Sequence, residues 1–450
     1  MITDLTEGNI SKRLWAFSIP MLISVIFQQL YSIADSVIAG KFIGEDALAA
    51  VGASYPISMI FMAVAIGANI GCSVVVSQLF GGKMYKEMKT AITTTFITVG
   101  ALSVILTVVG LLLSDNLMRL INTPDNIFKD ASIYINIYMG GLIFLFLYNI
   151  CTGIFNALGD SKTPLYFLIG SSIGNIFLDW FFVAVIGMGV DGVAWATFIC
   201  QGIAGALSLI TLIRRLKTVK TEGKIKFFSG SMFKKVSVIA IPSIFQQSFI
   251  SVGNIIIQSL INGYGSSIIA GYSAGSKLMV FGTTSLATVA NGMSSFTAQN
   301  IGAGKTERVS KGFKAGCIMA LLVALPFFII YFFFGDTVLK LFLNSDSKLA
   351  FDTGKEFLKI IAPFFLAISI KFMGDAVLRG AGAMGWFMVT TFASLFIRII
   401  LAYVLAKSFD TTGIWLAWPV GWSLGMILSL IFYIKGVWKT GLNSKDCTEV

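Results

Sequence analysis

The chain contains no histidine. That removes imidazole metal ligands and the usual neutral-pH proton shuttle, so proton chemistry falls to carboxylates. Cysteine is scarce and scattered, at Cys72, Cys151, Cys200, Cys317 and Cys447. These form no CxxC pair and no disulfide framework. Charged residues make up 12% of the 450, against about 25% in a soluble domain. No Walker-type phosphate loop is present, so ATP is not the expected energy source. No HExxH motif and no nucleophile–base cluster occur, so an enzyme is not expected. No cofactor is implied.

What the chain has is apolar sequence, 56% of it hydrophobic, in runs of about 20 residues, the length that crosses a bilayer as a helix. The expected fold class is an all-α polytopic membrane protein. The first run begins near Trp15, after Asp4 and Glu7, without a basic leader or a small-residue cleavage site, and reads as a retained span. Twelve spans are predicted: 14–40, 48–80, 89–114, 131–157, 163–187, 190–215, 233–262, 268–301, 312–334, 353–380, 385–407 and 412–436. The net charge of +11 would suggest nucleic acid in a soluble protein. Here the Lys and Arg collect in loops on one side, 22 against 8, with three inside spans. By the positive-inside rule both termini are cytoplasmic, in a multi-pass protein of the cell membrane. No nucleic-acid partner is expected.

The stretch Asn175-Ile-Phe-Leu-Asp179 sits inside the fifth apolar run. A carboxylate there costs about 2.5–3.5 kcal/mol on insertion scales, so an intramembrane acid is a candidate functional residue. Asn175 lies one turn earlier, on the same helix face.

Loop 214–235 is the longest basic connection and divides the chain evenly. The two halves repeat. Phe27-Gln28-Gln29 recurs as Phe245-Gln246-Gln247, Ile19-Pro20 as Ile241-Pro242, and Gln78-x-x-Gly81 as Gln299-x-x-Gly302. The expected organisation is a cytoplasmic N-terminus (1–13), a first lobe (14–215), a linker (216–232), a second lobe (233–436) and a cytoplasmic tail (437–450). Six spans per half make the lobes parallel repeats, related by a pseudo-two-fold axis along the membrane normal.

With these features the sequence resembles the MATE family of multidrug and toxic compound extrusion transporters. The resemblance rests on the twelve spans and on Pro20…Asp35-x-x-x-x-Gly40-x-x-x-Gly44. It rests also on Gln78-x-x-Gly81, Ala157-Leu-Gly-Asp160 with Thr163-Pro164, and Asn175-x-x-x-Asp179. It implies export of small organic, lipophilic cations against inward H⁺ or Na⁺, by a monomer. It places the coupling-ion site at Asp35, Asn175, Asp179 and Thr197, with Na⁺ possible at Asp35 and Asp179. Pro20 is then a kink in the first span, through which ion binding changes the cavity. The residues are compatible with this grouping. Asp179 and Thr197 lie nine residues either side of Met188, at about 13 Å from that turn for 1.5 Å rise per residue. Oxygen ligands suit a hard cation, and paired carboxylates in low dielectric also hold a proton.

The second half differs. At an offset of 219, Asp179 aligns with Arg398 and Asp35 with Asn254, which confines cation coupling to the first lobe. Lys371, Asp375 and Arg379 form an i, i+4, i+8 stripe, read first as ion pairing that neutralises Asp375. A polar site in the second lobe would draw on Lys277, Asp375 and Arg398. The alternative function is a lipid-linked saccharide flippase, for which Lys277, Lys371 and Arg398 are the candidate pyrophosphate-binding groups.

Overall fold

The computed structural model describes residues 3–38, 42–221, 223–343 and 348–439; the side chains at 35–37, 45 and 48 lie outside the described residues. Fourteen α-helices carry the chain: α1 (Ile10–Ile38), α2 (Glu45–Gly81), α3 (Tyr85–Leu120), α4 (Asp125–Gly140), α5 (Leu142–Ala157), α6 (Lys162–Trp180), α7 (Val190–Thr218), α8 (Gly230–Asn262), α9 (Ser266–Gly302), α10 (Thr306–Phe333), α11 (Gly335–Leu339), α12 (Lys348–Ile361), α13 (Phe365–Gly380) and α14 (Met384–Ile434). No strand occurs among the described residues.

Among them, nine helical segments are long and apolar enough to span a membrane, α12 with α13 counting as one; α4 and α5, bent by 48° at Gly141, make a tenth. Two more complete the twelve. α9 is 37 residues long but richer in Ser, Thr, Asn and Gly. α14 has 51 residues, about 75 Å of helix, too long for one crossing. It breaks at Phe409 and at Asp410, whose φ of 49° is left-handed. The protein is thus an all-α integral membrane protein of twelve spans.

Several predicted spans begin earlier than expected, the fourth and the tenth among them. The fourth was placed at 131–157, yet helix starts at Asp125. The tenth was placed at 353–380, yet helix starts at Lys348. Both extensions are amphipathic. In α12, Thr353, Phe357, Leu358 and Ile361 are buried, while Lys348, Asp352 and Lys359 charge the rest of the segment.

The chain separates into two compact units. The first comprises Met1–Asp4 and Ile19–Gln247; the second comprises Leu5–Ser18 and Ser248–Val450. The division falls inside α1, next to Pro20, and inside α8, a few residues beyond Pro242. In the first unit the opening half of α8 packs on α2 without intervening side chains. A methyl on Gly67 would meet the Ile244 backbone nitrogen at 2.6 Å, and one on Gly71 would meet Ala240 Cβ at 2.6 Å. Close backbone approach through small residues is how helices associate in lipid. In the second unit the opening half of α1 packs in the same way on α9, with Gly292 against Ser18 Oγ. The connector between α7 and α8 is tied to α3, Lys89 Nζ donating to the Val219 carbonyl at 2.7 Å and the Ser229 N–H to Thr94 Oγ1 at 3.0 Å.

The Leu158-Gly-Asp160 motif is a tightly packed turn of the first unit. Gly159 has φ +73°, and the Thr3 carbonyl lies where a Cβ would stand. Buried Asp160 accepts the Thr163 N–H at 3.2 Å and its hydroxyl at 2.9 Å, fixing the start of α6. It also pairs with Arg215 at 3.6 Å.

Candidate functional site

The site lies in the first unit, between α6 and α7 with α1 beside them. α6 carries Asn175 and Asp179 one turn apart on its buried face; Asn175 is 3% exposed and Asp179 0%. A π-helical turn, Phe181–Val185, follows directly. One wide turn re-aims the backbone beside Asp179, a feature common at functional positions. The chain then turns at Gly187, with φ +80°, and α7 returns antiparallel, bringing Thr197 level with Asn175.

Hydrogen bonding fixes the Asn175 amide. Its NH₂ donates to Asp179 Oδ2 at 2.8 Å and its oxygen accepts the Thr197 N–H at 3.1 Å, whereas the opposite orientation sets like against like. The same end of the amide lies 3.4 Å from Thr197 Oγ1, which in turn lies 3.5 Å from the Tyr31 hydroxyl of α1. Asn175, Asp179 and Thr197 therefore form one connected group. Asp35 is on α1, one turn beyond Tyr31, and its side chain lies outside the described residues. α1 continues as helix through Pro20, and Ser24 Oγ donates to the Pro20 carbonyl at 3.0 Å.

On one side of this group opens a cavity of about 170 Å³. Gln28, Tyr148, Asn149, Ser172, Gln201 and Met62 are among the residues that line it. The sequence singles out none of these. A signal existed. Ser171, Asn175 and Asp179 repeat every four residues, as do Thr197 and Gln201, drawing polar stripes along α6 and α7. On the other side, one turn from Asp179 and Thr197, Val183 and Val193 pack with Ile38 in a small apolar cluster. The site thus has an open cavity of mixed polar and apolar lining on one side and an apolar cover on the other.

In the second unit, Lys371 Nζ donates to Asp375 Oδ2 at 2.5 Å, both residues being buried. Asp375 Oδ1 also accepts from Thr390 at 2.8 Å and Ser429 at 2.9 Å. The expected pairing within α13 is present, but Arg379 leaves the stripe and donates to Asn291 Oδ1 of α9 at 2.7 Å. Arg398 turns to Asn254 and Trp418, and Lys277 is exposed on α9. No hydrogen bond joins Lys277, Asp375 and Arg398 among the described residues.

The sequence model of the MatE family matches residues 20–181 and matches again at 242–404. The chain belongs to the MatE family. The double match also establishes the internal repeat. A probable multidrug resistance protein of Bacillus subtilis, YpnP, is 29% identical over 97% of each chain. The multidrug export protein MepA of Staphylococcus haemolyticus is 23% identical over 91% of this chain and 90% of its own. Among solved structures, an outward-facing multidrug resistance MATE family transporter of the MOP superfamily superposes with a TM-score of 0.89, covering 97% of this chain and 98% of that one at 23% identity. Another transporter of that superfamily, from Pyrococcus furiosus, gives 0.90 at 21% identity over 96% and 97%. Membership of MatE makes this chain a membrane transporter of small substrates, not an enzyme.

Proposed function

We propose that this MatE protein is a secondary antiporter that exports small organic, lipophilic cations in exchange for H⁺ or Na⁺ entering the cell. The observation that carries the reading is Asp179: a carboxylate wholly buried in a membrane-spanning helix, hydrogen-bonded to Asn175, which with Thr197 lines the neighbouring cavity. An ionised carboxylate in that setting is costly unless a cation or a proton compensates it. The group offers acceptor oxygens to either. Asp35, one turn beyond Tyr31 on α1, completes the set in this reading. The cavity is small against the roughly 300–1,000 Å³ of drug-sized pockets, so it suits the ion and its water rather than the exported compound.

The multidrug names of its relatives support the substrate class. In the cycle, a cation arriving from outside neutralises Asp35 and Asp179. The loss of charge repacks α1 against α6 and α7, Pro20 taking up the bend, and the substrate leaves outward. The excess of Lys and Arg in alternate loops supports cytoplasmic termini. The protein works as a monomer in the cell membrane without ATP.

The test is purified protein in liposomes, with ethidium movement followed under an imposed pH gradient and then a Na⁺ gradient. Movement under one of them, lost in Asp35→Asn and in Asp179→Asn, is expected. Movement unaffected by both substitutions would overturn the site. No response to either gradient would turn the question to lipid-linked saccharides.

A further inference from the structure

The second unit buries two cations in its helices, and they are treated differently. Lys371 is neutralised by Asp375. Arg398, 7% exposed, has no carboxylate partner among the described residues. Its guanidinium lies 4.0 Å from the centroid of the Trp418 ring, and Nη2 donates to Asn254 Oδ1 at 3.0 Å. Neither contact removes the charge.

The surroundings of Arg398 are rich in donors and short of acceptors. Arg398 Nε is buried without an acceptor among the described residues, and so are the indole N–H groups of Trp415 and Trp418. The two tryptophans stand at i and i+3 on α14, so they share a face. All three groups can only donate. A water molecule could accept from one or two of them but would leave the cation uncompensated. The group that answers both shortages is an anion. The neighbouring helices approach Arg398 closely: a methyl on Gly421 would stand 3.1 Å from Arg398 Cβ, and one on Gly253 3.4 Å from Arg398 Nη2. That limits the occupant to a small one.

We propose that Arg398, Trp418 and Trp415 form a binding site for a small monovalent anion in the second unit, filled by chloride from solution or by the carboxylate of a transported molecule. This goes beyond the cation-coupling reading and does not depend on it. Gly159 and Gly382, the left-handed glycines ahead of α6 and α14, put the repeat position of Asp179 at Ala402, one turn from Arg398 on the same helix, so the two halves would bind ions of opposite sign on corresponding helices. Transport of zwitterionic or acidic compounds would then use the second unit for the acidic group.

The experiment is a titration of the purified full chain with sodium chloride and, separately, sodium acetate against a sulfate background, read by tryptophan emission. Trp415 and Trp418 should report occupancy directly. A saturable change is expected in the native chain. Arg398→Met should lose it. Trp418→Phe, which keeps a ring over the guanidinium and deletes one donor, should bind about tenfold more weakly or worse, the cost of one hydrogen bond to a charged partner. Saturation with chloride alone identifies the inorganic ion; saturation with acetate identifies a carboxylate site. If neither anion gives a saturable change in the folded native chain, the proposal is wrong. It is equally wrong if Trp418→Phe, verified as folded, binds both anions as the native chain does.

Discussion

Arg398 and Asn254 touch, Nη2 to Oδ1 at 3.0 Å, joining α14 to α8, the helices of the second half that correspond to α6 and α1 in the first. The helix pair that carries the acids in one half carries a cation and an amide in the other. Under the proposed coupling, the positive ion therefore binds in the first half.

The first consequence concerns Asp179. Asp179→Asn keeps the size of the side chain and can keep the hydrogen bond to Asn175 through its own oxygen. Folding should be little changed, with thermal unfolding close to the native value. Gradient-driven transport should fall by at least about tenfold, since the neutral amide no longer needs a cation beside it. Liposome flux measured beside an unfolding curve checks both halves of the expectation. A variant that transports normally would show that the carboxylate is structural.

Much of this site was legible before the structure. An acid inside an apolar run is conspicuous, and Asn175 shares its helix face by periodicity; Thr197 is implied by the family resemblance, at a depth from the turn at Met188 that matches Asp179. The cavity lining was not legible in the same way. Gln28, Tyr148 and Asn149 come from α1 and α5, and only tertiary packing decides which of many polar residues in such helices face inward. The twelve spans were legible too, because apolar length is a direct physical requirement. Their ends were not. At Asp125 and Lys348 the helix continues into amphipathic turns whose charges hide them from any reading based on hydrophobicity. The broken backbone at Asp410, in contrast, falls inside the predicted gap between spans 385–407 and 412–436.

A second expectation concerns the seam between α2 and α8. Gly67 has no room for a Cβ, with Ile244 N at 2.6 Å and Ile244 Cα at 2.7 Å. Both are backbone atoms, so relief requires the helices to separate. Gly67→Val should cost about 1–3 kcal/mol, the usual penalty of overpacking, and reduce the yield of folded protein. Gly100 has open space at the same test, so Gly100→Val should be tolerated and serves as the control. Comparable unfolding temperatures for the two variants would contradict the close seam.

The buried pair Lys371–Asp375 gives a third, tested by a double-mutant cycle. Lys371→Met leaves Asp375 buried with only the two hydroxyl donors, Thr390 and Ser429. Breaking a buried pair by removing one partner costs about 3–5 kcal/mol, while replacing both partners is often close to neutral. The double variant Lys371→Met with Asp375→Leu should therefore be more stable than Lys371→Met alone. Additive losses in thermal unfolding would mean that the two charges are compensated separately.

The apolar cover over the cation site supplies the last. Ile38, Val183 and Val193 are mutually packed, with Val193 wholly buried. Val183 is one turn beyond Asp179 and Val193 one turn before Thr197, so the cluster closes the site on the side away from the polar cavity. An apolar constriction blocks ions by excluding water, because a hydrated ion cannot shed its shell against methyl groups. Val193→Ser exchanges two methyls for a single smaller hydroxyl and gives water a foothold; burying the new hydroxyl should cost about 1–3 kcal/mol. Under the proposed coupling, liposomes holding this variant should dissipate an imposed H⁺ or Na⁺ gradient several-fold faster than native ones, with no substrate present. Val193→Ile, which keeps the surface apolar, should remain tight. The added leak should vanish in Val193→Ser combined with Asp179→Asn, since the ion would still have to pass the carboxylate. A leak that persists without Asp179 would place the ion path elsewhere, and a tight Val193→Ser variant would show that this cluster is not the barrier.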